Sequence, residues 1–189
     1  NNTAAQSPGV IYLTNITATL DNCKIYNNSA LKDASAIAVY AGKISSNPTV
    51  LKPSQLTITN CIIENNTATQ EGAAAIYLEN SKMDISYSSI VNTLNIHNTV
   101  TANYDNDKPK AVIANNNWWG VKDPRTTVQG ENITIDNWVI MNLEANVSEV
   151  LVGDTVELTV DFNHVNTTSS EIEELTGGAI PKTFTVTFT

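Results

Sequence analysis

The side chains able to do acid–base or nucleophilic chemistry are few and scattered. Asp21, Asp33, Glu64, Glu71, Glu79 and Asp84 occur singly. Cleavage of a glycosidic bond by carboxylates needs two of them facing each other. Asp105 and Asp107 are two residues apart and of the type that holds a hard cation, but a solvated turn accounts for them as well. Arg125 is the only arginine. His97 and His164 are far apart, and neither sits at metal-ligand spacing. There is no phosphate-binding glycine loop and no nucleophile elbow. These residues predict a protein that is not an enzyme and uses no cofactor or metal. A polysaccharide lyase or hydrolase is the catalytic alternative weighed against that expectation.

Internal repetition is the strongest signal in the chain. Ala18–Asn28, Leu56–Asn66 and Met83–Thr93 align without gaps, at spacings of 38 and 27 residues. A second element recurs as Ile11-Tyr-Leu-Thr-Asn15, Val39-Tyr40 and Ile76-Tyr-Leu-Glu-Asn80. A third recurs as Asn1-Asn-Thr-Ala4, Asn27-Asn-Ser-Ala30 and Asn65-Asn-Thr-Ala68, in the same order each time. On this phase Asn1 falls inside a repeat, so a longer parent protein is expected. No charged-then-apolar leader opens the chain, and no run approaches a membrane span.

Each repeat reads as strands. Leu56 and Ile58 alternate with Thr57 and Thr59, the period of a half-buried strand. After Asn60 the phase slips by one, so Cys61 and Ile63 become the inward set. Asn suits such a bend because it tolerates left-handed backbone. Stacked coils would pile like residues over like: Ala18, Leu56 and Met83; Leu20, Ile58 and Ile85; Ile25, Ile63 and Ile90. Asn27, Asn65 and Asn92 would then form an internal asparagine ladder. The architecture expected is a right-handed parallel β-helix, with an ordinary sandwich as its rival.

Cys23 and Cys61 fall in one inward column, followed by Ser88. Buried free thiols are preferred there to a disulfide, because small apolar packing explains Cys and Ser alike. Segments 42–55 and 95–110 break the pattern and are expected to be surface loops carrying variable contacts.

The repeats end at Ala111-Val-Ile-Ala-Asn-Asn-Asn-Trp-Trp-Gly120. A solenoid end exposes its core and needs a cap. Trp118 and Trp119 are assigned that role, in preference to stacking on sugars. A last strand is expected in 131–141, followed by short antiparallel strands near Leu143–Asn146, Val150–Gly153, Thr155–Asp161 and Thr183–Thr189. The domains predicted are therefore a β-helix over 1–141 and an incomplete immunoglobulin-like sandwich over 142–189. Its open edge would favour self-association. Charge divides in the same way. Acids and bases balance at 9 each up to Gly130, whereas beyond it 10 acids face Lys182 alone. Lys182 is also the one candidate there for an isopeptide crosslink. With a net charge of −9 and no basic patch, nucleic acid is excluded as a partner.

The Asn-Asn-[Thr/Ser]-Ala repeats, Asn116-Asn-Trp-Trp-Gly120, Asp136-Asn-Trp138 and Val150-Leu-Val-Gly153 together resemble the adhesin-like surface proteins of methanogenic archaea. The resemblance covers most of the chain and is most specific at the tryptophan–glycine junction. It implies an extracellular, cell-surface protein whose partners are glycans or proteins of another cell. It also implies an anaerobic host, in keeping with reduced thiols. It transfers no ligand-binding residues. A purely structural stalk is the alternative. Asn-x-Ser/Thr occurs at seven places. Of these, Asn132, Asn146 and Asn166 are the glycan candidates on a surface protein, and Asn27 and Asn65 are expected to be interior and unmodified.

Overall fold

The computed structural model describes residues 2–4, 9–44, 47–101 and 111–181. Its main body consists of four parallel sheets, stacked rung on rung in a β-helix-like coil. The first face contains Ile11–Thr14, Ala34–Tyr40, Ala74–Glu79, Ile96–Thr99 and Val128–Gly130. The second contains Thr17–Asp21, Gln55–Thr59, Lys82–Ser86, Val112–Ile113 and Ile133–Thr134. Lys24–Tyr26, Ile62–Glu64 and Ser89–Val91 make the third face, and Thr3–Ala4, Ser29–Ala30 and Thr67–Ala68 the fourth.

The expected columns hold. Ala18 pairs with Leu56 and Leu56 with Met83; Leu20 with Ile58 and Ile58 with Ile85; Ile25 with Ile63 and Ile63 with Ile90. Leu56, Ile58, Ile63, Met83, Ile85 and Ile90 are fully buried and form one core with Ile37, Ile76 and Ile96. Alternation along Gln55–Thr59 and Lys82–Ser86 sends one set of side chains inward and leaves Thr and charged residues outside, whereas Ala34–Tyr40 is buried along nearly its whole length.

Three expectations are corrected. Val39-Tyr40 does not lie over Ile11-Tyr12: Ile37 does, so the true register differs by two residues. A slip of two preserves which side chains face the core, which is why the inward pattern still looked right. Segment 42–55 is not an irregular loop, because Gly42–Ile44 and Asn47–Lys52 pair as an antiparallel hairpin. In 95–110, Ile96–Thr99 is a regular strand of the first face, in register with Ile76–Glu79. Asp105 and Asp107 lie outside the described residues.

The chain leaves the coil through Asn137–Ala145, which pairs antiparallel with Leu158–Thr167, and that strand with Ile172–Glu174. The first of these strands runs unbroken across the boundary expected after Met141. Val150–Gly153 and Thr155–Glu157 are not strands; they belong to the exposed connection around Gly153. Lys182 and Thr183–Thr189 lie outside the described residues. Tyr87 fastens this sheet's tail to the coil. Its hydroxyl donates to the Thr176 carbonyl at 2.8 Å, and Gly177 and Gly178 pass so close to its ring that a Cβ at either would collide with it.

Candidate functional site

The corners decide which residues face in and which are free to face a partner. Asn22, Asn27, Asn60, Asn65 and Asn80 all have φ between 52° and 56°, the left-handed region that Asn enters more readily than other side chains. After Asn27, Asn60, Asn65 and Asn80, the next residue turns inward and caps a peptide of the neighbouring rung. Ser54 Oγ accepts from Ile16 N–H at 3.2 Å, and Ser81 Oγ from Ser54 N–H at 3.3 Å. Cys61 Sγ accepts from Cys23 N–H at 3.3 Å, and Ser88 Oγ from Cys61 N–H at 3.0 Å. Asn117 Oδ1 continues that file by accepting from Ser88 N–H at 2.9 Å.

The asparagine ladder therefore sits one residue later than expected. Asn27 and Asn65 are exposed corner residues, and the interior positions belong to Asn28 and Asn66. Asn2 donates to Asn28 Oδ1, Asn28 to Asn66 Oδ1, Asn66 to Asn92 Oδ1, and Asn92 to Asn95 Oδ1. Asn95 ends the file on Thr127 Oγ1 at 2.9 Å. Asn92 is thus a ladder member as expected, whereas Asn27 and Asn65 supply backbone geometry instead. Asn28 and Asn66 each follow a left-handed residue, whereas Asn92 and Asn95 reach the same file from ordinary backbone.

Cys23 and Cys61 are free thiols in adjacent rungs. Burial pushes the Cys61 thiol up to about 11. Trp119 lies in the core at 1% exposure, beside Trp138 at 3%. Trp118 stays half-buried and meets Phe162 edge to face at 5.1 Å between centroids. The coil does not end at Trp118 and Trp119 as expected: Val128–Gly130 and Ile133–Thr134 add a further rung, and Trp138, placed by sequence reasoning only in a strand, shares the buried core with Trp119. The periodicity of Ile133, Ile135 and Trp138 was its signal. Arg125 stacks over Trp138 at 5.5 Å, while Asp123 holds its guanidinium at 2.8 and 2.9 Å. Of the glycan candidates, Asn132 and Asn146 are exposed and Asn166 is half-buried.

The outer side of the first face carries a strip of rings. Centroids lie 5.3 Å apart for Tyr12 and Tyr40, 5.7 Å for Tyr40 and Tyr77, and 5.3 Å for Tyr77 and His97. Tyr12, Tyr77 and His97 share a column in which the second rung has Ala38; Tyr40, two residues further on, fills the gap. The Tyr40 hydroxyl donates to Asp33 Oδ2 at 2.9 Å. Burial, then the Asp33 carboxylate, raises the pKa of Tyr40; burial, with help from Glu79, raises that of Tyr77. His97 Nδ1 contacts the Gly72 carbonyl, which can only accept, so Nδ1 carries the hydrogen. Beside Tyr77 and His97 opens a cleft of about 160 Å³ that also includes Asp33, Gln70 and Glu71. Sequence reasoning missed this strip. Its signal was present in Tyr12, Tyr40 and Tyr77, which share one repeated element, but His97 fell in a segment expected to be a loop.

A larger cleft of about 510 Å³ lies along Val128–Gly130 and Ile133–Thr134, the end strands of their sheets among the described residues. Among the described residues, no three His, Cys, Asp or Glu side chains come together as a metal-holding group, and no helix is long and apolar enough to cross a membrane. Compared with protein-family models, with curated proteins and with solved structures, the chain matches none.

Proposed function

We propose that the chain is a non-catalytic adhesive module of a cell-surface protein, binding glycans or proteins of another cell. One observation carries this reading: an uninterrupted aromatic strip runs over four rungs on the outside of a coil whose folding contacts lie inside. Aromatic side chains held at a surface are typical of recognition, since they offer large contact area at low entropic cost. On this reading the coil is right-handed, the hand that parallel crossovers adopt. The antiparallel sheet is then the start of an immunoglobulin-like sandwich, whose exposed Leu143, Leu158 and Ile172 supply an edge for self-association. The stalk alternative draws support from the side-chain ladders that run through the rungs.

Attachment of cells to surfaces coated with the chain tests the proposal. Retention above that of a coat carrying an unrelated β-protein is expected. Equal retention on both coats leaves the stalk reading.

A further inference from the structure

We propose that the cleft beside Tyr77 and His97 is a subsite for a neutral or amino-bearing saccharide. The sugar ring packs against the aromatic strip, and its hydroxyls are bonded by Asp33, Gln70 and Glu71. This inference rests on the adhesive reading and names its ligand class.

The chemistry of the cleft selects that class. A pyranose has an apolar face of C–H groups and a rim of hydroxyls. It therefore needs an aromatic wall with a few convergent polar groups, and this cleft has both. Hydrogen bonds from a hydroxyl to a carboxylate are stronger than those between neutral groups. Asp33 and Glu71 supply carboxylates, and Gln70 supplies both an acceptor and a donor. Among the described residues, no lysine or arginine lines the cleft. The carboxylates thus repel uronic and sulfated sugars and attract an ammonium group.

The walls are already fixed. Tyr40 is tied to Asp33, and the Tyr77 ring packs between Tyr40 and His97. His97 is tied through Nδ1 to the Gly72 carbonyl, while the Thr99 hydroxyl lies 3.4 Å from its Nε2. Side chains ordered before binding cost little more to order on binding. The perpendicular arrangement of Tyr77 and His97 also breaks the tilted stacking of the first three rings, and the cleft opens at that break. A volume of about 160 Å³ suits a single sugar ring, so affinity for one residue is weak, of order 1 mM. A polymer lying along the strip, or many copies on one surface, multiplies it.

The test displays the full chain multivalently on an array of neutral, amino, uronic and sulfated oligosaccharides, with cell attachment measured in parallel. Retention of neutral or amino sugars alone is expected. Tyr77→Ala, and separately the Gln70→Ala/Glu71→Gln pair, should each lower it about 10-fold or more. The pair changes exposed side chains only, so it reads binding without risk to the fold. Unchanged retention in both variants, a preference for uronic or sulfated sugars, or no retained sugar overturns the subsite. If cells still attach in such a case, adhesion stands and another surface is responsible; if wild-type attachment is also absent, the adhesive reading fails with it.

Discussion

Asn66 Oδ1 accepts both the backbone N–H and the side-chain amide of Asn28, one rung away, at 3.2 and 2.8 Å. At the same time, Asn66 Nδ2 donates to the carbonyls of Ile25 and Glu64 at 2.9 and 3.1 Å. With a further contact from Nδ2 to Asn92 Oδ1 at 3.3 Å, one amide serves five groups in a buried corner, where each would otherwise lose its water without replacement.

Asn66→Ala is therefore expected to cost about 3 kcal/mol or more, since it strands several buried polar groups at once. Asn65→Gly should stay within about 1 kcal/mol of wild type, because glycine adopts the left-handed corner without strain. Urea denaturation of the two variants checks the ladder's register. A larger loss at Asn65 than at Asn66 would show that the ladder runs through the other file.

Cys61 acts as a capping acceptor, in the same manner as Ser88 one rung on. Cys61→Ser should cost less than about 1.5 kcal/mol. Cys61→Val removes the cap on Cys23 N–H and should cost more, despite being more apolar. With its thiol raised to about 11, Cys61 is almost wholly protonated at pH 8. Alkylation at that pH should leave it unmodified in folded protein and modify it in urea, as peptide mass mapping would reveal.

Asp21 accepts from Thr59 Oγ1 at 2.8 Å and from Asn60 Nδ2 at 2.9 Å, and these bonds hold its carboxyl below the usual value of 3.8. Its folded pKa is depressed, so its contribution to stability is complete above that value and disappears as pH falls through the folded pKa. Asp21→Ala should lower the thermal midpoint slightly at pH 7, by a deficit that shrinks at pH 3. Melting curves at the two pH values decide; an equal deficit at both would remove ionisation from the explanation.

The tryptophans should separate cleanly. Trp119→Ala empties a fully buried site and should cost about 3–5 kcal/mol. Trp118→Ala removes an edge-to-face contact with Phe162 and part of a half-buried surface, for about 1–2 kcal/mol. Chemical denaturation of both variants measures the contrast.

Legibility in the sequence followed side-chain periodicity. Leu56, Ile58 and Ile63 could be placed because their alternation and phase slip have a single geometric solution. The ladder was misplaced by one residue because Asn27 and Asn28 are chemically identical; only φ distinguishes the residue that bends from the one that bonds. The outer strip was partly legible: one repeated element holds Tyr12, Tyr40 and Tyr77, but exterior side chains obey no burial pattern that marks them as a surface, and His97 lies where no repeat was visible. The antiparallel sheet was half legible. Val160 and Val165 lie on the single strand Leu158–Thr167, which extends past the Asp161 end expected for it.

The files of Asn, Ser and Cys side chains bond in the same direction as the backbone ladders between rungs. A pull along the coil axis therefore loads both sets of bonds end-on, and every corner adds a side-chain tether to the main-chain ones. A coil built this way extends by losing whole turns, each at its own threshold, and so yields to tension in steps.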